Sequence, residues 1–367
     1  MYLDHAATAR YHPIVRSFLA ELPDLLPNSS SSHGAGIQVR RKVDKTRRII
    51  ADALGVYPEE IYFTGSATEG NAIIHLGLSK RAHIITSEVE HSSVEQNLLM
   101  VESRGAEVTR LPLIDGTLST EQVLEALKPN TRLVSIMTIN NEVGNRFQLE
   151  GLSEELKKRN IHFHRDGVQS LGKYPIQAHD YGSAVFSPHK FGSLEGVGIV
   201  YIHREARISP LYGGGGHERG LRSGTLNVPA ILCAGVVLQE LLPHLEEYRE
   251  KVERMRSMVL KTGAELGGTT LSRENGSSYL VHMAFEDLPA EVIVNALSAE
   301  EIYVSAGSAC SNSSKKISRV MRGFSKNPSI VSGSLRFSFS PFDDEEEVLA
   351  ACLKIRDTII ELRRGIV

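Results

Sequence analysis

Apolar residues Val39, Val43, Ile50 and Leu54 recur at helical spacing and Gly55 follows as a stop, which predicts an amphipathic helix over residues 39–54. Residues 60–63 then read as a short strand, 64–69 as a tight turn containing Gly65, and 71–78 as a second helix. The unit is strand, glycine turn, helix. Comparable apolar strands are predicted at 83–86, 133–137, 161–164, 184–187 and 198–201, and helix-like stretches at 119–127 and 152–159 separate several of them. That alternation predicts an α/β sheet. A charge-rich helical run over 239–266 links this large part to a smaller carboxyl-terminal one. Five acids at 343–347 precede a helix with the apolar face Val348, Cys352, Ile355, Ile359 and Leu362, where the positive end of the helix dipole favours them.

The length of 367 residues favours one large or two medium domains over a single small one. Lys and Arg total 41 against 44 Asp and Glu, so no excess of positive charge favours a nucleic-acid partner, and a small-molecule partner fits better. The longest uninterrupted small or apolar stretch, residues 230–238, is too short to cross a bilayer, so no membrane partner is expected. The first eight residues carry no targeting pattern and read as mature protein. Three cysteines, Cys233, Cys310 and Cys352, cannot build a disulfide framework, which points to a reducing cytoplasm. No metal site is expected.

Several positions could carry chemistry, each with a plainer alternative. Lys190, in a short loop between two apolar strands, is either a surface lysine or an amine whose charged form burial disfavours and which can trap a carbonyl. Asp166, at a predicted strand end, either caps a helix or points into the crevice where open α/β sheets bind ligands, and Gln169 falls one helical turn further on the same side. Residues 64–69 supply glycine, hydroxyls and a helix start, as a phosphate cradle requires, but lack the nucleotide P-loop pattern. Cys310 lies among small polar residues at 307–314, an accessible thiol, whereas Cys233 and Cys352 sit on apolar faces as core fillers. The glycine-rich run 212–225, with Arg219 and Arg222, is either a flexible linker or an anion-binding loop. Arg336 either faces solvent from a strand or turns its planar fork toward a carboxylate, and His91 could stack on a planar ring and shuttle protons.

The order and spacing of these pieces resemble the cysteine desulfurases of the class V aminotransferase group, nearly end to end. The segments that carry the resemblance are Tyr2 to Thr8, Thr64 to Glu69, Glu90-His91, Asn140 to Gly144, Asp166 to Gln169, Ser187 to Lys190, Glu218 to Thr225 and Gly307 to Cys310. The Gly-Ser-Ala-Cys setting of Cys310 is similar to that of the nitrogen-fixation and iron–sulfur-assembly branch. The resemblance implies a fold type I transferase dependent on pyridoxal 5'-phosphate, with a mostly parallel seven-stranded sheet and a smaller α+β carboxyl-terminal domain. It implies a large cofactor-binding domain at 13–245 and a small domain of 1–12 with 246–367 that carries the Cys310 loop.

Position by position, it implies that Lys190 holds the cofactor aldehyde covalently and moves protons at the substrate Cα. Asp166 pairs with the pyridine nitrogen, Gln169 with the ring hydroxyl, and His91 stacks on the ring. Thr68, Ser187 and His189 hold the phosphate, joined by Thr225 from a second subunit, which implies a homodimer. Asn141 and Arg336 bind the carboxylate region of L-cysteine, and Cys310 takes its sulfur as a persulfide, leaving alanine. The sulfur would then pass to an acceptor or iron–sulfur scaffold protein. A selenocysteine lyase, another β-lyase, or a non-turning-over binding partner in sulfur transfer are the alternatives. Three features depart from the family pattern: Phe191 to Gly196 lacks a proline and puts Glu195 where a basic residue is usual, Arg165 is bulky beside Asp166, and the tail ending at Val367 is short, so a docking surface for a scaffold is expected to be missing.

Overall fold

The structure is a computed structural model, and it describes residues 1–23, 25–78, 82–307 and 318–365. Seven strands, β1 Ile61–Thr64, β2 His83–Ser87, β3 Glu107–Leu111, β4 Thr131–Ser135, β5 His162–Asp166, β6 Ser183–Phe186 and β7 Gly198–Ile202, form one sheet in the order β1-β7-β6-β5-β4-β2-β3. The pairs β2/β3, β2/β4, β4/β5 and β5/β6 are parallel, and β7 runs antiparallel to both of its neighbours. Strands β2, β6 and β7 are buried along their whole length, which is why they read as continuous apolar runs: helices cover both faces of such a sheet.

A second, antiparallel sheet holds β8 Leu280–Ala284, β9 Ser305–Ala306 and β10 Ser334–Ser338 in the order β8-β10-β9. Its core gathers Val281, Met283, Leu335 and Phe337 with Met255 from helix Leu245–Glu265, Ile293 from helix Ala290–Ala299 and Ile355 from helix Glu345–Arg364. The chain start belongs to this cluster: Leu3 is fully buried in it, Tyr2 bridges Tyr303 and Asp4 bridges Ser338. As expected from the five acids, Asp344 caps the last helix by accepting from the Glu346 and Glu347 N–H groups.

The structure moves several sequence-derived boundaries. The helix expected from residue 39 begins at Gly34, because His33 caps it by accepting from the Gly36 N–H, and its glycine-bearing first turn carries no apolar signal. Strand β3 went unread because it is a sheet edge whose Glu107 and Arg110 break the apolar run. The charge-rich run over 239–266 is parts of two helices, Val228–Leu241 and Leu245–Glu265, joined by a 3-10 turn at Leu242–His244. These two helices together have the length and hydropathy of a membrane span, but the first packs Ile231, Cys233, Val237 and Leu238 into the core beside helix Gly34–Leu54.

Candidate active site

The residues singled out in the sequence gather beyond the carboxyl ends of the parallel strands: His91 after β2, Asn141 after β4, Asp166 closing β5 and Ser187 after β6. This is where open α/β sheets bind ligands. Lys190 ends a 3-10 turn, Pro188–Lys190, between β6 and β7. Its ammonium donates to the Ala6 carbonyl at 2.8 Å and also to the Ala7 carbonyl, so it lies half-buried against the amino-terminal segment. The Gln169 amide donates to the same Ala6 carbonyl at 3.1 Å, which brings Lys190 and Gln169 together over one oxygen.

Asp166 is buried. One carboxylate oxygen accepts from Asn71 Nδ2 at 3.0 Å and the other from the Val168 N–H at 3.1 Å, so it closes a turn and does not cap a helix. His91 caps helix Ser92–Ser103, its Nδ1 accepting from the Ser93 N–H. Burial lowers the His91 pKa, helped by Lys190, Arg319 and Arg336 and opposed by Asp166.

Lys173 was not expected at the site. It is buried and donates to Gln169 Oε1 at 2.8 Å, with its ammonium 5.6 Å from the centre of the Tyr279 ring. Burial, then the charges of Lys190 and Arg336, lower its pKa to about 7. A carbonyl can only accept, so Ala6 fixes the Gln169 amide with its N–H groups on the Ala6 side and its oxygen toward Lys173.

Arg336 lies in β10, buried rather than facing solvent. Its fork donates to the Asn141 carbonyl at 2.9 Å, to Asp4 Oδ1 at 2.7 Å and to Ser305 Oγ at 3.1 Å. Two buried polar atoms here, Arg336 Nε and Asn141 Oδ1, have no hydrogen-bond partner among the described residues. Unpaired buried polar atoms are costly and mark a place where a ligand supplies the missing partner.

Ser187 Oγ and His189 Nδ1 stand 2.9 Å apart, and burial, then Lys190, lowers the His189 pKa to about 4, so this imidazole is neutral near pH 7. Thr68 is exposed in the first turn of helix Ala67–Leu78. Thr225 is also exposed, and no hydrogen bond ties it to the Thr68, Ser187 and His189 group among the described residues. The loop before it is no slack linker. Glu218 accepts from Arg47 at 2.8 and 2.9 Å and from the Phe63 N–H, Arg219 lies 4.0 Å over the Tyr62 ring, and Arg222 binds Glu69 at 3.0 Å. Both loop arginines are thus partnered within the chain. Cys310 lies outside the described residues; Cys233 and Cys352 are buried, as their apolar settings implied.

Two further acids border the site. Glu90 accepts from the Met137 N–H at 3.0 and 3.1 Å and from Ser87 Oγ, and burial pushes its pKa up to about 8. Glu142 accepts from Ser318 Oγ at 2.9 Å, and burial raises its pKa to about 7.

With this geometry in view, the comparisons with known proteins are decisive. The family model described as Aminotransferase class-V matches residues 1–350. A protein named cysteine desulfurase IscS from Tolumonas auensis is 35% identical, over 99% of this chain and 93% of its own. The chain belongs to the cysteine desulfurases of the class-V aminotransferase family. A solved structure described as a NifS-like protein has a TM-score of 0.90 at 32% identity, covering 97% of this chain and 98% of its own. Another, described as SspA in complex with cysteine, has a TM-score of 0.81 at 29% identity, covering 94% of this chain and 99% of its own. The expected fold, a seven-stranded and mostly parallel sheet of fold type I, is the one observed.

The family's cofactor, pyridoxal 5'-phosphate, fits the residues present. Asp166 offers a carboxylate, Gln169 an N–H and Lys190 an amine on the same carbonyl oxygen as Gln169, and Asn141 Oδ1 is buried without a partner among the described residues. The departures from the family pattern leave this arrangement intact. Glu195 is exposed and accepts from the Tyr11 hydroxyl at 2.7 Å. Gly192 takes a φ of +85°, and a Cβ there would meet the Arg10 carbonyl at 2.8 Å, so glycine holds the turn without the proline. Arg165 is buried, donating to the Phe147 carbonyl at 2.7 Å with its guanidinium 5.3 Å from the centre of the Phe163 ring.

Proposed function

We propose that the chain converts L-cysteine to L-alanine and passes the sulfur to Cys310 as a persulfide, for iron–sulfur cluster or sulfur-cofactor assembly. The observation that carries this reading is the convergence of Lys190 and Gln169 on the Ala6 carbonyl, with Asp166, Lys190 and Arg336 all near enough to His91 to shift its pKa. When bound, pyridoxal 5'-phosphate supplies an aldehyde that traps amines and a pyridine ring that accepts electrons from the substrate carbon.

Around it, Asp166 would hold a proton on the ring nitrogen, Gln169 would donate to the ring hydroxyl, and His91 would lie against the ring face. Thr68, Ser187 and His189, with Thr225 from a second copy of this chain, would hold the phosphate. Arg336 and Asn141 would bind the cysteine carboxylate, and Lys190 would remove and return the proton at Cα. The Cys310 thiolate then attacks the substrate sulfur: an S–S bond forms, the Cβ–S bond breaks, and a proton replaces sulfur on Cβ, so no external oxidant is needed.

The same reading divides the chain into a large domain at 13–245 and a small one of 1–12 with 246–367. It makes the enzyme a homodimer that hands sulfur to an acceptor protein. The low cysteine count supports a reducing cytoplasm as its compartment. The test is mass spectrometry of protein incubated with L-cysteine. One added sulfur on the peptide containing Cys310, with release of alanine, is expected. A Cys310→Ala variant that keeps full persulfide and alanine output would overturn the assignment.

A further inference from the structure

Asp166 and His91 are not independent. Between them stands Asn71, a fully buried residue of helix Ala67–Leu78 that no expected role includes. Its side-chain nitrogen is 3.0 Å from Asp166 Oδ2 and 2.9 Å from Ser93 Oγ, and its side-chain oxygen is 2.9 Å from His164 Nε2. Ser93 Oγ is in turn 2.8 Å from His91 Nδ1.

The proton positions follow from the carboxylate outward. Asp166 accepts only, so the Asn71 nitrogen must face it; the reversed amide would set two acceptors against each other. The Asn71 oxygen then requires a proton on His164 Nε2. His164 Nδ1 accordingly accepts from Ser183 Oγ at 2.8 Å, and His162 Nε2 donates to that hydroxyl at 2.8 Å. Burial agrees with these neutral rings, lowering the His162 pKa to about 4 and that of His164 well below its ordinary value. The second Asn71 N–H occupies a lone pair of Ser93 Oγ, which leaves the Ser93 proton to be donated to His91 Nδ1. That nitrogen also receives the Ser93 backbone N–H at 3.1 Å. With two donors on Nδ1, neutral His91 carries its proton on Nε2.

We propose that Asn71 is a positioning residue that joins Asp166 and His91 into one hydrogen-bonded array and, through the Ser93 hydroxyl, holds His91 neutral with its proton on Nε2. The array rests on the reading that the cofactor ring lies between Asp166 and His91. Without the Ser93 hydroxyl the Asn71 amide would still bind the Asp166 carboxylate, but the imidazole would lose a donor that disfavours protonation. No test substitution removes a charge that faces His91, namely Asp166, Lys190, Arg319 and Arg336; Asn71→Leu also takes a donor from Asp166 Oδ2, whereas Ser93→Ala leaves that bond in place and isolates the hydroxyl's part.

The test is the titration of His91 in cofactor-loaded protein labelled with 15N-histidine, assigned by a His91→Asn variant. The wild type should show its proton on Nε2. Ser93→Ala and Asn71→Leu should each raise the His91 midpoint by about half to one pH unit, a three- to tenfold change in the protonation constant. The double variant should move no further than the larger single one. Additive shifts, an unmoved midpoint in Asn71→Leu, or a proton on Nδ1 in the wild type would each overturn the array. Should the leucine variant not fold, Asn71→Ser, too short to span Asp166 and Ser93, takes its place under the same criteria. The readout is independent of turnover, so loss of the array and loss of desulfurase activity are separately visible.

Discussion

Replacing Glu90 by Gln should make the protein more resistant to alkaline pH. Glu90 is fully buried, and its pKa stands at about 8 against an ordinary value of 4.5. Between those values the unfolded chain has released the proton and the folded chain still binds it. Fewer protons are therefore bound in the unfolded state, and stability must fall as pH rises through that window. The slope is roughly 1.4 kcal/mol per pH unit, so the whole window is worth about 5 kcal/mol. For a chain of 367 residues this is about 6 °C in Tm. Glutamine has the shape of the protonated acid: its oxygen can accept from the Met137 N–H and its amide can donate to Ser87 Oγ. The assay is Tm against pH, from 5 to 9, for both proteins. The variant should match the wild type near pH 5 and exceed it progressively by pH 9. A difference that stays constant across the range would refute the reasoning, because it would show that the Glu90 proton is not linked to folding.

Other outcomes follow from the same contacts. Lys173 has the opposite linkage: its pKa falls to about 7 in the fold from 10.5, so the unfolded chain binds the extra proton and stability rises with pH across that interval. Lys173→Met should lack this rise in a Tm series, and it should lower stability at pH 9 by about 1–3 kcal/mol because Gln169 Oε1 is left without its donor. Arg336→Lys should reduce kcat/KM for L-cysteine by roughly ten- to a hundredfold, mainly through KM, since an ammonium cannot reproduce the fork between Asn141, Asp4 and a carboxylate. Steady-state kinetics would check this, and an unchanged KM would contradict the role.

The central strands were legible because burial on both faces leaves uninterrupted apolar runs, as at His83–Ser87 and Gly198–Ile202. Strand Glu107–Leu111 was hidden by its edge position, and strand Leu280–Ala284 by His282, which is fully buried against Ser334 Oγ. Lys190, Asp166 and His91 could be picked out because each sits at a strand or helix end in a motif of recognisable order. Asn71, Ser93 and His164 could not. They lie inside elements, their significance comes from partners 22 to 95 positions away, and no local pattern encodes those pairings. Lys173 was hidden differently: it lies in a turn, four residues after Gln169, and only the fold buries it there. The glycine-rich arginine run is ambiguous in sequence for a related reason: its composition suits a slack linker or an anion-binding loop, while Glu218 pins it to Arg47 across 171 positions.

The carbonyl oxygens beneath Lys190 belong to residues 6 and 7, yet that stretch is held by the hydroxyl of Ser338, which accepts from the Ala6 N–H across 332 positions. During synthesis, residues 6 and 7 must therefore wait for Ser338 before they can settle in this place. A polypeptide stalled before Ser338 lacks that anchor for the carbonyls that hold the Lys190 amine, so this corner of the fold closes only once strand β10 has been made.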